Sequence, residues 1–117
     1  MQQTNEISLA RQGAVTLFEI KGDITAFSEP FLNDAYKQAN EQATEKILLN
    51  FDPEAYINSG GIAVLIQILA QTKKRNQLIG ITGLSDHFVK IFNMVGITKF
   101  AKIHDNLETA METLNAS

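Results

Sequence analysis

The chain alternates between short apolar runs and longer amphipathic stretches, a pattern typical of strands that alternate with helices. Near the start, Ile7–Ala10 and Ala14–Gly22 carry alternating or β-branched apolar residues around a Gln12-Gly13 turn. This arrangement predicts a β-hairpin. Lys46–Phe51 and Leu78–Gly83 are short and almost continuously apolar. Such runs are expected of strands that are covered on both faces in a parallel sheet.

Four further stretches carry apolar residues three and four positions apart, which predicts helices. Their predicted starts are, in chain order, Ser28-Glu29-Pro30, Asn58–Gly61, Ser85-Asp86, and Asp105 or Asn106. We expect Ser28 to be the N-cap of the first helix, and Phe27 shares the helical spacing of its apolar residues. With a short strand at Phe100–Ile103, the order is β-β-α-β-α-β-α-β-α. This order predicts an α/β fold with a mixed, largely parallel sheet of four to five strands and about four helices.

Length and composition narrow the class of protein. The chain has 117 residues, of which 44% are hydrophobic and 20% charged, so we expect one globular domain over residues 1–117. No cysteine is present, which excludes disulfides, thiol catalysis and cysteine-ligated zinc. A net charge of −3 argues against general nucleic-acid binding. No apolar run has membrane-spanning length, and Met1–Glu6 lacks signal-peptide features; we expect a soluble, cytoplasmic protein.

Few residues suggest catalysis or metal binding. His87 and His104 have no neighbours at metal-ligand spacing, and surface or interface roles are the favoured interpretation for both. Glu108 and Glu112 are four residues apart on the last predicted helix, where a solvated face is favoured over an acid–base pair. No phosphate-binding loop and no Gly-x-Gly-x-x-Gly motif occurs. We therefore expect no metal, no cofactor and no enzymatic activity.

Ser59 is the most informative position. It lies between Asn58 and the Gly60-Gly61 pair, immediately before an apolar helix. One interpretation is structural, with the hydroxyl acting as the helix N-cap. The other is functional, because a helix N-terminus has unsatisfied N–H groups and a partial positive charge. A phosphate on Ser59, with a charge of about −1.5 to −2, would be tolerated there, and the two glycines leave room for a partner.

Three motifs in order give a family resemblance. Gly22-Asp23-Ile24, followed by Ser28 and a helix, is similar to a Gly-acidic-aliphatic-Asp start. The strand Ile47–Phe51 leads to Tyr56–Leu65, which parallels an aromatic-apolar-Asp-Ser-hydroxyl-Gly-aliphatic sequence. Val89–Ile97 is close to a Val-x-x-aliphatic-apolar-x-x-x-Gly-aliphatic pattern, with one residue fewer after Val89. Together they resemble the STAS domain, the module of anti-sigma factor antagonists and of the tails of anion transporters, over nearly the whole chain.

The resemblance implies a partner switch. In free-standing bacterial antagonists the serine that matches Ser59 is phosphorylated by an anti-sigma factor that is an ATP-dependent serine kinase. A phosphatase restores the serine, and the unphosphorylated antagonist binds the anti-sigma factor and frees the sigma factor. The partner surface that follows comprises Asp23, Thr25, Phe27, Tyr56, Asn58, Ser59, Gly60 and Gly61. Phe27 and Tyr56 are either aromatic contacts on that surface or core residues at the ends of elements.

Three residues depart from the family pattern. Asn58 replaces the motif aspartate, Gly60 the second hydroxyl residue and Thr25 an aspartate. If the two aspartates that Asn58 and Thr25 replace orient the serine or a kinase-bound metal, phosphotransfer here would be slow. Conversely, fewer negative neighbours would repel a phosphate on the serine less. The alternative function is a STAS interaction module that is not switched, in a signalling scaffold or a lipid-transport complex. A small enzyme or nucleotide-binding module is a third class.

Overall fold

The computed structural model describes residues 5–117. The prediction that Met1–Glu6 lacks a signal peptide falls partly on residues 1–4, which lie outside this range. The strands are β1 (Glu6–Gln12), β2 (Val15–Lys21), β3 (Lys46–Asn50), β4 (Leu78–Thr82) and β5 (Lys102–Ile103). The helices are α1 (Glu29–Glu41), α2 (Ser59–Lys74), α3 (Asp86–Met94) and α4 (Leu107–Asn115), with short 3-10 turns at Ala26–Ser28 and Ile97–Lys99.

The strands form one sheet in the order β1-β2-β3-β4-β5. β1 is antiparallel to β2, whereas β2, β3, β4 and β5 are parallel to one another. The prediction of a mixed, largely parallel sheet with about four helices is therefore confirmed. Because the carboxyl ends of parallel strands share one edge, the segments that follow β2, β3 and β4 all leave the sheet on the same side.

The two faces of the sheet are covered unequally. α1, α2 and α3 pack on one face, over a large core that includes Phe18, Ile47, Ile81 and Phe92. α4 packs on the other face, where Ala110 and Leu114 join the smaller cluster Val15, Leu17 and Leu48. Within residues 5–117, no helix is both long and apolar enough to cross a membrane.

The start of α1 differs from the prediction. Ser28 precedes α1, but its side chain makes no capping hydrogen bond to that helix. Thr25 caps the preceding 3-10 turn instead: its Oγ1 accepts from the Phe27 N–H at 3.1 Å, while Ser28 Oγ accepts from the Thr25 N–H at 3.0 Å. The turn also directs Phe27 outward, so that this side chain is 75% exposed and contributes nothing to the apolar face of α1.

β5 is shorter than the predicted strand. Gly96 adopts a left-handed conformation with a φ of 83° and begins the 3-10 turn at Ile97–Lys99. The Phe100 N–H closes this turn by donating to the Ile97 carbonyl, so Phe100 is used by the turn and does not join the sheet. The ladder to β4 is consequently limited to Lys102 and Ile103.

His104 lies in the interior, so the expectation of a surface or interface position was wrong. The side chain is 8% exposed. It packs beside Gly80, where an added Cβ would lie 3.4 Å from His104 Cδ2 and 3.1 Å from Leu114 Cδ1. The absence of a side chain at Gly80 thus leaves space for both. Burial lowers the pKa of His104 below its ordinary value of 6.5; the charge of Lys102 lowers it further and that of Asp105 opposes this.

We predict that His104 makes the fold less stable in mild acid. Above about pH 6.5 the imidazole is neutral in both states. Below this pH the His104 imidazole takes up a proton in the unfolded chain but resists it in the folded one. The free energy of unfolding therefore decreases as the pH is lowered, until the lowered pKa of the folded state is passed. Urea denaturation over this pH range should show a smaller slope for His104→Gln than for the unmodified chain. His87→Gln, at an exposed histidine, is the control; equal slopes in all three would contradict the prediction.

Candidate partner-binding site around Ser59

Two segments that are distant in sequence meet beyond the carboxyl ends of β2 and β3. Ile24 and Ile57 form an isolated parallel bridge. The Ile24 N–H donates to the Tyr56 carbonyl at 2.9 Å, and the Asn58 N–H donates to the Ile24 carbonyl at 3.1 Å. Both isoleucines are buried. The bridge therefore fixes the Asp23–Phe27 loop against the start of α2.

Asp23 reinforces this junction through its side chain. Its Oδ1 accepts a hydrogen bond from the Tyr56 N–H at 2.8 Å. The backbone carbonyl of Asp23 accepts from the buried Ser28 hydroxyl at 3.4 Å and from Asn5 Nδ2 at 3.0 Å. Asp23 thus holds the position of the Tyr56 backbone, a structural role beside any contact it makes with a partner.

The two glycines allow α2 to begin against this loop. A Cβ on Gly61 would lie 2.1 Å from the Ile24 carbonyl oxygen, which is far inside van der Waals contact. A Cβ on Gly60 would lie 3.1 Å from both the N and the Cβ of Ala26. Gly61 is therefore required by the close approach of two backbones, and Gly60 by a tight but less severe contact.

Asn58, rather than Ser59, caps α2. Asn58 has extended backbone dihedrals, and its Oδ1 accepts from the Gly61 N–H at 2.9 Å. Ser59 is the first residue of the helix and is exposed, and its hydroxyl makes no hydrogen bond with another described residue. The N-cap interpretation of Ser59 was wrong, and its hydroxyl faces solvent at the positive end of a 16-residue helix.

Two aromatic side chains lie at this junction. Phe27 is 75% and Tyr56 61% exposed, so the interpretation of either as a core residue was wrong. The Tyr56 ring contacts Phe88 of α3 edge to face, with centroids 5.8 Å apart, and His87 in turn contacts Phe88 at 5.0 Å. Sequence reasoning missed this connection to α3, because residues 56 and 88 share no motif and meet only through the parallel sheet.

The start of α2 has no charged side chains. No acidic or basic residue occurs between Glu54 and Lys73, so the start of α2 and its exposed face present amide, hydroxyl and apolar groups. The charges at the junction are the partial positive charge of the helix terminus and the acidic side chain of Asp23, which accepts from the Tyr56 N–H. Within residues 5–117, no group of three or more His, Asp or Glu side chains could hold a metal ion.

We predict that Gly61→Ala destabilises the protein. The new methyl group would force the Ile24 carbonyl and α2 apart, a strain of about 1–3 kcal/mol, which outweighs the gain of up to about 1 kcal/mol in helix propensity. Urea denaturation would show a lower midpoint. Gly60→Ala, at the roomier neighbouring site, should cost less; the reverse order would contradict the assigned contacts.

We also predict that the capping role separates Asn58 from Ser59. Asn58→Ala removes the acceptor of the Gly61 N–H and should cost about 1 kcal/mol of unfolding free energy. Ser59→Ala removes a hydroxyl that makes no hydrogen bond to the described residues, and it should leave stability nearly unchanged. Urea denaturation of the two variants side by side measures the difference. A larger loss of unfolding free energy for Ser59→Ala than for Asn58→Ala would contradict the assignment of the cap to Asn58.

Comparison with known proteins supports the fold described above. The family model of the STAS domain matches residues 6–110. An anti-sigma-B factor antagonist of Listeria monocytogenes is 27% identical over 99 residues, which cover 83% of this chain and 84% of that protein. The crystal structure of an anti-sigma factor antagonist from Mycobacterium paratuberculosis superposes with a TM-score of 0.76 at 14% identity, over 94% of this chain and 93% of the other.

The anti-sigma factor antagonist SpoIIAA is a further structural neighbour. In its unphosphorylated form it superposes with a TM-score of 0.70 at 12% identity, over 96% of this chain and all 100% of its own. A phosphorylated form of Bacillus SpoIIAA, at a TM-score of 0.65 and 13% identity, covers 92% of this chain and 98% of its own. At these identities the structural matches show a shared fold, and the family model covers most of the sequence. This chain belongs to the STAS domain family.

Proposed function

We propose that this protein is an anti-sigma factor antagonist that is switched by phosphorylation of Ser59. In its unmodified form it binds an anti-sigma factor that is also an ATP-dependent serine kinase, and a sigma factor is released. The observation that carries the proposal is the Ser59 hydroxyl, which is exposed at the N-terminus of α2 and makes no hydrogen bond to any other residue in the range 5–117. The relatives named above, which are anti-sigma factor antagonists, support it.

The phosphotransfer needs little from this chain. Ser59 Oγ attacks the γ-phosphorus of ATP held by the kinase, the bond to the β–γ bridging oxygen breaks, and ADP leaves. The hydroxyl proton passes to a base of the kinase. The chain contributes an accessible nucleophile and, in the first turn of α2, N–H groups without intrahelical acceptors that favour the dianionic product. It acts in this proposal as a binding protein and a substrate, and not as an enzyme.

The phosphate is proposed to act on the partner rather than on the fold. Because the Ser59 hydroxyl makes no hydrogen bond within residues 5–117, its modification would break none there. It adds charge and bulk at the start of α2, which has no charged side chain of its own, between the exposed rings of Phe27 and Tyr56, which are suited to packing against a partner. A dianion that is desolvated in such an interface weakens binding.

The predicted site residues divide into two proposed roles. Phe27, Tyr56 and Ser59 would contact the partner directly. The residues that hold these three in place are Asp23, Thr25, Asn58, Gly60 and Gly61. A serine phosphatase would reset the switch. Because the kinase, the phosphatase and the sigma factor of this proposal act in the cytoplasm, the switch would operate there. The proposal includes no direct binding of nucleic acid.

We predict that the cognate anti-sigma kinase and ATP add one phosphate to the protein, detected by mass spectrometry. Ser59→Ala should take up none and, given its predicted near-native stability, should still fold and bind. Asn58→Asp tests the neutral neighbour of the serine: faster transfer would mean that a carboxylate there assists the kinase, and slower transfer that its charge repels the incoming phosphate. An unchanged mass with a kinase that demonstrably binds the chain would refute the switch.

We further predict that Ser59→Asp binds the anti-sigma factor at least about tenfold more weakly than Ser59→Ala, since a charge is then buried in the interface. Calorimetric titration of the same partner with both variants measures this. Equal affinities would favour the alternative function, a STAS interaction module that is not switched. The observation that favours this second candidate is that Thr25, Asn58 and Gly60 depart from the family pattern.

A further inference from the structure

The outer edge of β1 is the longest unpaired strand edge in the described part of the chain. β1 and β5 are the two edge strands of the sheet. β5 has 2 residues, whereas β1 has 7, and β1 pairs through all of them with β2 on its inner side only. Within residues 5–117, no segment pairs with its outer side. An edge of this length exposes a row of backbone donors and acceptors that can template another strand.

An apolar groove runs alongside this edge. It has a volume of about 440 Å³ and lies between β1 and α1. Ile7 and Leu9 line it from the strand and Phe31 from the helix, and all three are only partly buried. Asp34 lies on the α1 side of the same groove. The edge therefore offers both backbone pairing and an apolar surface for alternate side chains of an added strand.

β1 is complementary to itself. A second β1 added antiparallel overlaps all seven residues when Leu9 lies opposite Leu9 of the other copy. In that register Glu6 faces Gln12 and Ile7 faces Arg11, so no like charges are opposed. Opposite residues of an antiparallel pair share a face of the sheet. Ile7, Leu9 and Arg11 of both copies therefore lie on the side where the groove is located, since Ile7 and Leu9 pair with core residues Ile20 and Phe18.

The charges at the groove support the same arrangement. Arg11 is exposed, and its side chain makes one long hydrogen bond to the described residues, from Nε to the Gly13 carbonyl at 3.5 Å. Asp34 is exposed and accepts from Gln38 Nε2 at 2.8 Å. Neither forms an ion pair with another described residue. In the Leu9-centred register, Arg11 of one copy comes opposite Ile7 of the other, at the groove that contains Asp34.

We propose that the occupant of this edge is a second copy of the chain. Two β1 strands pair antiparallel about Leu9, join the two sheets into one of ten strands, and bring Arg11 of each copy to Asp34 of the other. The contact uses β1 and α1. It uses none of the residues proposed to contact the anti-sigma factor, Phe27, Tyr56 and Ser59, which are called the Ser59 surface below. The dimer would carry two Ser59 surfaces, and its formation is independent of the proposed phosphorylation.

The first test uses the purified protein alone. Sedimentation velocity over a concentration series should show a monomer–dimer equilibrium. Arg11→Asp and Asp34→Arg should each raise the dissociation constant about tenfold, because every dimer contains two such contacts, and the double variant should restore association. Arg75→Asp makes the same charge change at the exposed end of α2 and should have no effect. A monomer at all concentrations would overturn the proposal, as would a dimer that ignores both charge changes.

The second test locates the contact. Because the chain has no cysteine, Leu9→Cys introduces a single thiol, and two such thiols would meet at the two-fold axis. A short thiol-reactive cross-linker should yield a covalent dimer of Leu9→Cys but not of Ala63→Cys, whose thiol would lie on the exposed face of α2. Equal yields would place the contact elsewhere and reject pairing through β1. So would protection of β1 amides from hydrogen exchange only after the anti-sigma factor is added, which would assign the edge to that partner.

Discussion

The arrangement around Ser59 depends on one backbone contact, the approach of the Ile24 carbonyl to the start of α2. That oxygen accepts the Asn58 N–H and lies where a Gly61 side chain would otherwise be. The contact joins a loop after β2 to a loop after β3, two segments more than thirty residues apart in sequence. The contact is held in place because the side chains of Ile24 and Ile57 are buried in the core. Without this contact neither Tyr56 nor Phe27 would have a fixed position relative to the serine.

The contact also explains why a polar cap and two glycines occur together. Asn58 has to donate its N–H to Ile24 and at the same time offer its side-chain oxygen to Gly61. An extended residue with a short amide side chain does both, since an N-cap has extended dihedrals. An aspartate could make the same cap, so replacing the family's aspartate by Asn58 preserves the geometry and removes a charge. The departure from the family pattern is therefore electrostatic more than structural.

Much of the fold follows from the sequence because apolar periodicity and burial coincide in this chain. The continuous apolar run of β3 and the stripe of α2 identify their elements without further information. The site was predicted less completely. The position of Ser59 before a helix marks it in the sequence, but the pattern does not decide between Asn58 and Ser59 as the cap, because that depends on the Ile24 contact. Phe27 fits helical spacing, and only the 3-10 turn that Thr25 caps directs it to solvent.

The exposure of Ser59 has a consequence for the way a switch at this position would operate. A phosphate that replaced a structural hydrogen bond would loosen α2, and the resulting unfolding would act on every property of the domain at once. Here Asn58 caps α2 and the serine hydroxyl makes no hydrogen bond within residues 5–117, so the fold would tolerate either state. The helix terminus would stabilise a phosphate on Ser59, whereas a partner packed on Phe27 and Tyr56 would have to desolvate it. The two forms of the chain would then differ in affinity for the partner while retaining the same structure.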